Sequence, residues 1–187
     1  IPECICTDVF PNPWIDQVEN AYRMSFADES VSNLILFDVF HHLEYPKAAL
    51  NEFRRVLKPH GRVIFFEPCI SALGWIVYGA FHKEPVAWFD KINPDGGPIS
   101  DDRLGYYAAQ GNACRIFRHS RKYRDLIGDF SITKVRRYAA LAYVMSGGYS
   151  GRQLYPDRLY PFIKSCEKGL NHLPSLFATR LLVVLTK

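Results

Sequence analysis

The stretch SNLILFDVFHHLEYPKAALNEFRRVLKPHGRVIFFEP, Ser32 to Pro68, decides the fold. It opens on the apolar run SNLILFDVF, which predicts a strand covered on both faces. Pro46 then suits the first turn of a helix. Ala49, Leu50, Phe53, Val56 and Leu57 recur at spacings of three and four, while Asn51, Glu52, Arg54, Arg55 and Lys58 fill the opposite face. The helix is expected to stop at KPHG, where Pro59 and Gly61 are breakers, and RVIFFEP follows as a second apolar strand. Strand, helix and strand with short links imply two parallel strands joined by a crossover. In such sheets ligands bind beyond the carboxyl ends of the strands. Asp8, Asn20, Asp38 with His41 and His42, and Glu67 all fall at or just after expected strand ends. They define one rim.

Working outward, ECICTDV reads as a short strand ending in Asp8, PNPW as a turn, and QVENA as a second extended piece. The chain starts at Ile1 without a methionine, already in what reads as core sequence, so its beginning is expected to be missing. Downstream, ISALGWIVYGAFHKEP predicts a helix carrying Trp75, Tyr78 and Phe81 and leading to His82 and Glu84. DKINPDGGPISDD is a turn-rich loop expected to cover the rim. RIFRHSRKYRDLIGDF predicts a helix, SITKVRRYAALAYV a strand, and TRLLVVLTK a final strand. SGGYSGRQLYP, with Gly147, Gly148 and Gly151 around Tyr149, reads as a lid or a surface loop.

Composition narrows the classes. A chain of 187 residues, 48% hydrophobic, can bury one sizeable core, and we expect a single domain over 1–187: a cofactor-binding half, 1–68, and substrate-side elements, 69–187. A net charge of +4, concentrated in RIFRHSRKYRD and KVRR, fits a solvated helix face and a strand edge better than a nucleic-acid footprint. No apolar run reaches the length of about 18 residues that a membrane span needs. Cys4, Cys6, Cys69, Cys114 and Cys166 are odd in number and scattered, which fits buried free thiols in a reducing cytoplasm. Cys4 and Cys6 lie two apart on an extended run and share a face, so they do not readily bond to each other.

His41 and His42 invite a metal reading, but neighbours on extended backbone point to opposite sides, and no further ligand pair stands at metal spacing. The expectation from sequence is therefore no metal. His41, His42, His82 and Glu84 stand as candidate acid–base residues, since histidine titrates near neutrality.

The segment from Glu19 to Pro68 resembles the middle of a class I S-adenosylmethionine-dependent methyltransferase of the methyltransferase type 11 kind. That family carries D-A-x-x-L-P-F-x-D-x-S, an apolar strand, a His-His-Leu turn, and E-x-x-R-V-L-K-P-G-G before the next strand. Here the matches are Asn20-Ala21, Met24-Ser25-Phe26, Asp28, Ser30, His41-His42-Leu43, Glu52, Arg55-Val56-Leu57-Lys58-Pro59 and Gly61. The resemblance implies a Rossmann-like, doubly wound α/β fold, with a mostly parallel sheet and a C-terminal antiparallel strand. It implies S-adenosylmethionine as cofactor: Asp8 on the ribose hydroxyls, Asn20 and Ala21 at the adenine, with Met24 or Phe26 packed on its ring. Phe37 and Asp38 would pass the methionine portion, and His41 would line the pocket. Asn20 stands where the family has aspartate, His60 replaces a glycine, and no G-x-G-x-G motif occurs.

The implied activity is methyl transfer to a small molecule or glycan, with Trp75, Tyr78, Trp88, Tyr106 and Tyr107 as stacking surfaces or as core. Two other classes stay open: a non-catalytic methyltransferase-like binding or scaffold domain, and a nicotinamide-dependent oxidoreductase, against which the HHL…RVLKP segment speaks.

Overall fold

A computed structural model describes residues 4–93, 107–148 and 151–187. In chain order its strands and α-helices are β1 (Thr7–Asp8), β2 (Gln17–Val18), β3 (Val31–Phe37), α1 (Pro46–Val56), β4 (Leu57–Pro68), α2 (Ala72–Ala80), α3 (Asn112–Arg118), α4 (Arg124–Ile127), β5 (Ser131–Tyr138), α5 (Leu141–Met145), α6 (Tyr160–Leu170), α7 (Pro174–Phe177) and β6 (Arg180–Thr186). Four strands form one sheet in the order β3-β4-β6-β5, and β1 pairs with β2 in a separate parallel ribbon. β3 runs parallel to β4, whereas β6 runs antiparallel to both β4 and β5. Thus β3, β4 and β5 share one direction and β6 alone opposes them, the α/β arrangement expected from the sequence.

The core lies where α1 meets the sheet. Pro46, Ala49, Leu50, Phe53 and Val56 bury one face of α1, as the spacing predicts. Of these, Ala49, Leu50 and Phe53 share one cluster with Leu36, Val63, Phe65, Leu181, Val183 and Leu185. Phe40, Phe65 and Phe117 extend this cluster, with Phe40–Phe65 centroids 4.9 Å apart in edge contact and Phe65–Phe117 stacked at 5.4 Å. At the exit of β4 the chain turns sharply into α2, capped by the Ser71 hydroxyl on the Gly74 N–H. A Cβ on Gly74 would sit 2.1 Å from the Cys69 carbonyl, so only glycine permits this approach.

Several local expectations are corrected. β3 is buried on one face only: Leu36 is buried and Leu34 half-buried, whereas Ile35 and Phe37 on the opposite face are about half exposed. Phe40 to His42 leave the strand and form a 3-10 turn. ECICTDV and QVENA contribute two strand residues each. KPHG belongs to β4 rather than to a loop, with a break in register opposite Val31 to Asn33 and a left-handed His60 (φ 63°). The helix expected across RIFRHSRKYRDLI is two helices, α3 and α4, divided at His119–Tyr123. ALAYV is helical: Ala140 adopts φ 43°, ends the extended run and starts α5. Of the five cysteines, which remain free, Cys69 and Cys114 are buried and Cys4, Cys6 and Cys166 exposed. Residues 94–102 of the expected rim loop, Tyr106, and Tyr149 of the expected lid lie outside the described residues. No helix among the described residues is long and apolar enough to cross a membrane.

Candidate functional site

The site begins with a backbone event at the end of β3. Asp38 takes a left-handed conformation (φ 54°), which aspartate tolerates better than most residues, and this bends the chain out of the sheet into the 3-10 turn. The turn starts without a side-chain cap of its own. Its free N–H groups are met instead by Glu67, fully buried near the end of the neighbouring β4. The Glu67 carboxylate accepts from the backbone N–H groups of Val39 (3.0 Å), Phe40 (2.7 Å) and His41 (3.3 Å), and from His41 Nδ1 (2.7 Å). One side chain therefore fixes both the turn and the orientation of the first histidine.

Because His41 Nδ1 donates to Glu67, its Nε2 is the free end of the ring. That end points at Glu84 Oε2, 3.3 Å away. Burial works against a charge on His41, but the hydrogen bonds to Glu67 and Glu84 and the charges of the two carboxylates outweigh it. They lift its pKa to about 9. His42 Nδ1 lies 3.0 Å from the Tyr107 carbonyl, which can only accept, so Nδ1 carries the proton. Its Nε2 faces Glu84 Oε1 at 3.7 Å. The two imidazole centroids are 4.1 Å apart: a 3-10 turn sets side by side the rings that a strand would hold apart.

Glu84 is held from the other side. Gln110, buried before α3, donates Nε2 to Glu84 Oε2 (2.9 Å) and to His82 Nδ1 (2.8 Å), and the Glu84 N–H points at the same His82 nitrogen (3.3 Å). His41, His42, His82 and Glu84 thus converge, although they come from two segments separated by α1, β4 and α2.

A second cluster lies behind the turn. Arg180, 2% exposed at the start of β6, is paired with Asp38 (Nη2–Oδ1, 2.5 Å) and donates to the Phe66 carbonyl (3.0 Å). Its guanidinium sits between the rings of Phe66 (4.5 Å) and Tyr143 (4.7 Å), and the Tyr143 hydroxyl donates to Asp38 Oδ2 (3.0 Å). Asp38 therefore serves as the counter-ion of a buried arginine, and its neighbour Phe37 is the residue that presents an exposed ring at the end of β3.

The ribbon of β1 and β2 brings in the other expected residues. Asp8 ends β1, exposed, with Oδ1 accepting the Phe10 N–H (2.9 Å). Asn20 Oδ1 accepts the Tyr22 N–H (2.9 Å) in a tight turn, leaving Ala21 half-buried at its tip. Tyr22 reaches the other end of the rim: its hydroxyl accepts the Tyr45 N–H (3.2 Å) just ahead of α1.

The E-x-x-R pair of α1 holds the next segment. Arg55 donates to the Met24 and Phe26 carbonyls (both 3.0 Å) and to Asp28 (2.6 Å), and Glu52 accepts the Met24 N–H (2.6 Å). Arg55 hydrogen bonds hold the Glu52 carboxyl below its usual 4.5, the Met24 N–H adds to this, and burial opposes it. Folded Glu52 takes up its proton less readily than unfolded Glu52. Its contribution is complete above about pH 4.5 and is lost as pH falls through the lower folded value. Urea unfolding is expected to show Glu52→Gln costing about 1 kcal/mol at neutral pH and less at a pH well below 4.5. An equal loss at both pH values would contradict this account.

The sequence missed the roles of Glu67, Gln110, Arg180 and Tyr143. Glu67 is legible only as a strand-end carboxylate, and the other three lie far along the chain from the residues they hold.

Residues 8–65, less than half of the chain, match the family model described as a methyltransferase domain. No curated protein matches the chain. Among solved structures, a methyltransferase of Methanosarcina mazei is 16% identical with a TM-score of 0.47, over 91% of this chain and 66% of its own. A Thermotoga maritima protein described as a possible histamine N-methyltransferase is 15% identical with a TM-score of 0.46, over 91% and 63%. Geranyl diphosphate C-methyltransferase of Streptomyces coelicolor, solved with Mg2+, geranyl diphosphate and S-adenosylhomocysteine, is 12% identical with a TM-score of 0.45, over 91% and 52%. The chain spans between half and two thirds of the length of these proteins. Residues 8–65 are thus similar to a methyltransferase domain, in agreement with the resemblance of this segment to the class I S-adenosylmethionine-dependent methyltransferases.

Proposed function

We propose that the protein transfers a methyl group from S-adenosylmethionine to a small-molecule or glycan acceptor, in the cytoplasm, as a single methyltransferase-like domain. The observation that carries this is the family match over residues 8–65, which includes the Asp8 strand end, the Asn20 turn and the His41-His42 turn. The cofactor supplies an electrophilic methyl on a sulfonium. The rim residues suit its adenosine part. Asp8 keeps Oδ2 free of hydrogen bonds among the described residues, and a carboxylate oxygen accepts well from a vicinal diol. Asn20 can accept from the adenine amine through its second lone pair, Ala21 leaves room for the ring, and the Phe37 ring offers an apolar wall. Asp38 contributes the bend that carries Phe37 and His41 to the rim, its carboxylate being committed to Arg180.

Methyl transfer asks mainly for alignment and for removal of one proton from the acceptor. Held as an imidazolium between two carboxylates, His41 is a poor proton acceptor and acts as a positioning residue. His42 and Glu84 are the groups able to take the proton, with His82 and Gln110 setting the Glu84 carboxylate. Exposed Trp75 and half-buried Trp88 and Tyr107 offer faces for an acceptor ring.

Calorimetric titration with S-adenosylhomocysteine tests the cofactor part. Binding tighter than about 100 µM is expected, with Asp8→Ala weakening it about tenfold or more. No binding by the wild-type protein, or equal binding by Asp8→Ala, would reject the assignment. Asn20 in place of the family aspartate favours one second reading, a binding or scaffold domain without turnover. Tight cofactor binding without methyl transfer to any member of a panel of hydroxyl and amine acceptors would establish that reading instead.

A further inference from the structure

We propose that Cys69 and Cys114 form a redox modification site: oxidation by a hydroperoxide joins them in a disulfide that ties the exit of β4 to α3. The inference is independent of the methyl-transfer reading and concerns two side chains which that reading does not use.

The first observation is a contact. Cys69 follows β4 and Cys114 stands in α3, 45 residues later, and their sulfurs lie 3.1 Å apart. Unbonded sulfurs packed by dispersion alone rest farther apart than this. A bonded pair lies at about 2.05 Å, so closure asks each sulfur to move by about half an ångström. Both residues have no solvent exposure and belong to the main apolar cluster, whereas Cys4, Cys6 and Cys166 are exposed. The fold pairs the two thiols that it shields. Each is anchored through its own element. The Cys69 N–H donates to the Thr179 carbonyl (2.8 Å), and α3 is seated by Phe117 stacked on Phe65.

The pair is chemically asymmetric. The hydrogen bond from the Cys69 thiol holds Cys114 below the ordinary thiol value; burial opposes this, while the Ile70 N–H and the charges of Arg118 and Arg137 assist it. The same hydrogen bond, with burial, pushes Cys69 up. Cys114 is therefore the attacking sulfur. Its thiolate takes one oxygen of the hydroperoxide and becomes a sulfenic acid, and the other oxygen leaves as an alcohol, or as water when the oxidant is hydrogen peroxide. The Cys69 sulfur then displaces the sulfenic hydroxyl, which leaves with the Cys69 proton as water. Two thiols and one hydroperoxide give one disulfide, one alcohol and one water. Because neither sulfur meets solvent, the first step waits on a local opening, and the finished bond is shielded from reducing thiols in the same way.

The consequence falls on the rim. The bond closes a covalent loop over residues 69–114, which contains α2, His82, Glu84 and Gln110 and begins just after Glu67. Oxidation thus fastens the segment carrying Glu84 to the strand end that holds His41.

The test treats the full chain, as wild type and as Cys4→Ser/Cys6→Ser/Cys166→Ser, with hydrogen peroxide. Free thiols are then alkylated under denaturing conditions and the peptides mapped by mass. Cys69 and Cys114 are expected to disappear together into one cross-linked peptide pair, more slowly than the exposed thiols react, and to return with dithiothreitol. In the triple variant the oxidised form is expected to have an unfolding equilibrium constant in urea about a hundredfold smaller than the reduced form. Its Glu84 and Ala87 amides are expected to exchange about tenfold more slowly. Cys69→Ala in that background should show neither change; where this variant does not fold, the cross-link and its reversal in the parent decide alone. The proposal is overturned if peroxide leaves the two thiols free or takes them to sulfinic acids without a cross-link. It is equally overturned if they bond only to other cysteines, if the cross-link brings no gain in stability or protection, or if folded Cys69→Ala shows the same gains.

Discussion

Replacing Glu67 with alanine is expected to lower unfolding free energy by about 4 kcal/mol. Its carboxylate accepts three backbone N–H groups and one imidazole N–H, all at a position with no solvent exposure. Each buried donor left without a partner costs about 1–3 kcal/mol. The sum is reduced because the freed turn can rearrange toward water. Glu67→Gln keeps one oxygen but turns an N–H2 group toward donors, so about half the loss is expected to remain. Urea titration of the three proteins, with m-values compared to confirm a common unfolded state, measures both steps. A loss below about 1 kcal/mol for the alanine variant would show that the turn holds without Glu67.

Asp38→Ala is expected to cost about 3 kcal/mol, by a different route. Arg180 stays behind at 2% exposure, held by two aromatic faces, the Phe66 carbonyl and Tyr78, but with no counter-ion in contact among the described residues. Breaking a buried ion pair from one side typically costs 3–5 kcal/mol, and the partial exposure of Asp38 places this case at the lower end. Alanine at φ 54° adds backbone strain. Arg180→Met in the Asp38→Ala background removes the orphaned charge while keeping much of the packing volume between Phe66 and Tyr143. It should therefore recover part of the loss. The decisive quantity is the double-mutant coupling: additive losses would show that the pair does not interact energetically.

The sequence was most informative where one local pattern met one tertiary demand. The apolar stripe of α1, the strand direction on either side of it, and the closing strand β6 were legible because helix and strand periods differ and because Pro46 marks a helix start. The pairing of Glu52 with Arg55 was visible only as a motif. The structure gives its physical content, a clamp on the backbone of Met24 to Asp28. The reading failed where a single residue changes the backbone state. Asp38 and Ala140 take positive φ and convert expected strand into turn or helix, and no local composition announces this. It failed again where partners are distant, since the separations from His41 to Glu84 and from Asp38 to Tyr143 are 43 and 105 residues. Helix α6 escaped notice because its stripe is broken by lysines and a glycine.

The staple made by Glu67 also orders events in time. Its contacts to the turn close loops of 26 to 28 residues within one strand–helix–strand unit, whereas Glu84 meets His41 across 43 residues, from beyond α2. Short loops close at lower entropic cost and form early in folding. The inner half of the histidine cluster should then belong to the first cooperative unit and the outer half to a later, weaker one. In native-state hydrogen exchange the amides of Phe40 and His41 should open only with the sheet, while those of Glu84 and Ala87 open more readily. The rim is in this sense a fixed jaw and a moving one, and any small molecule gripped there would be released by the side that folded last.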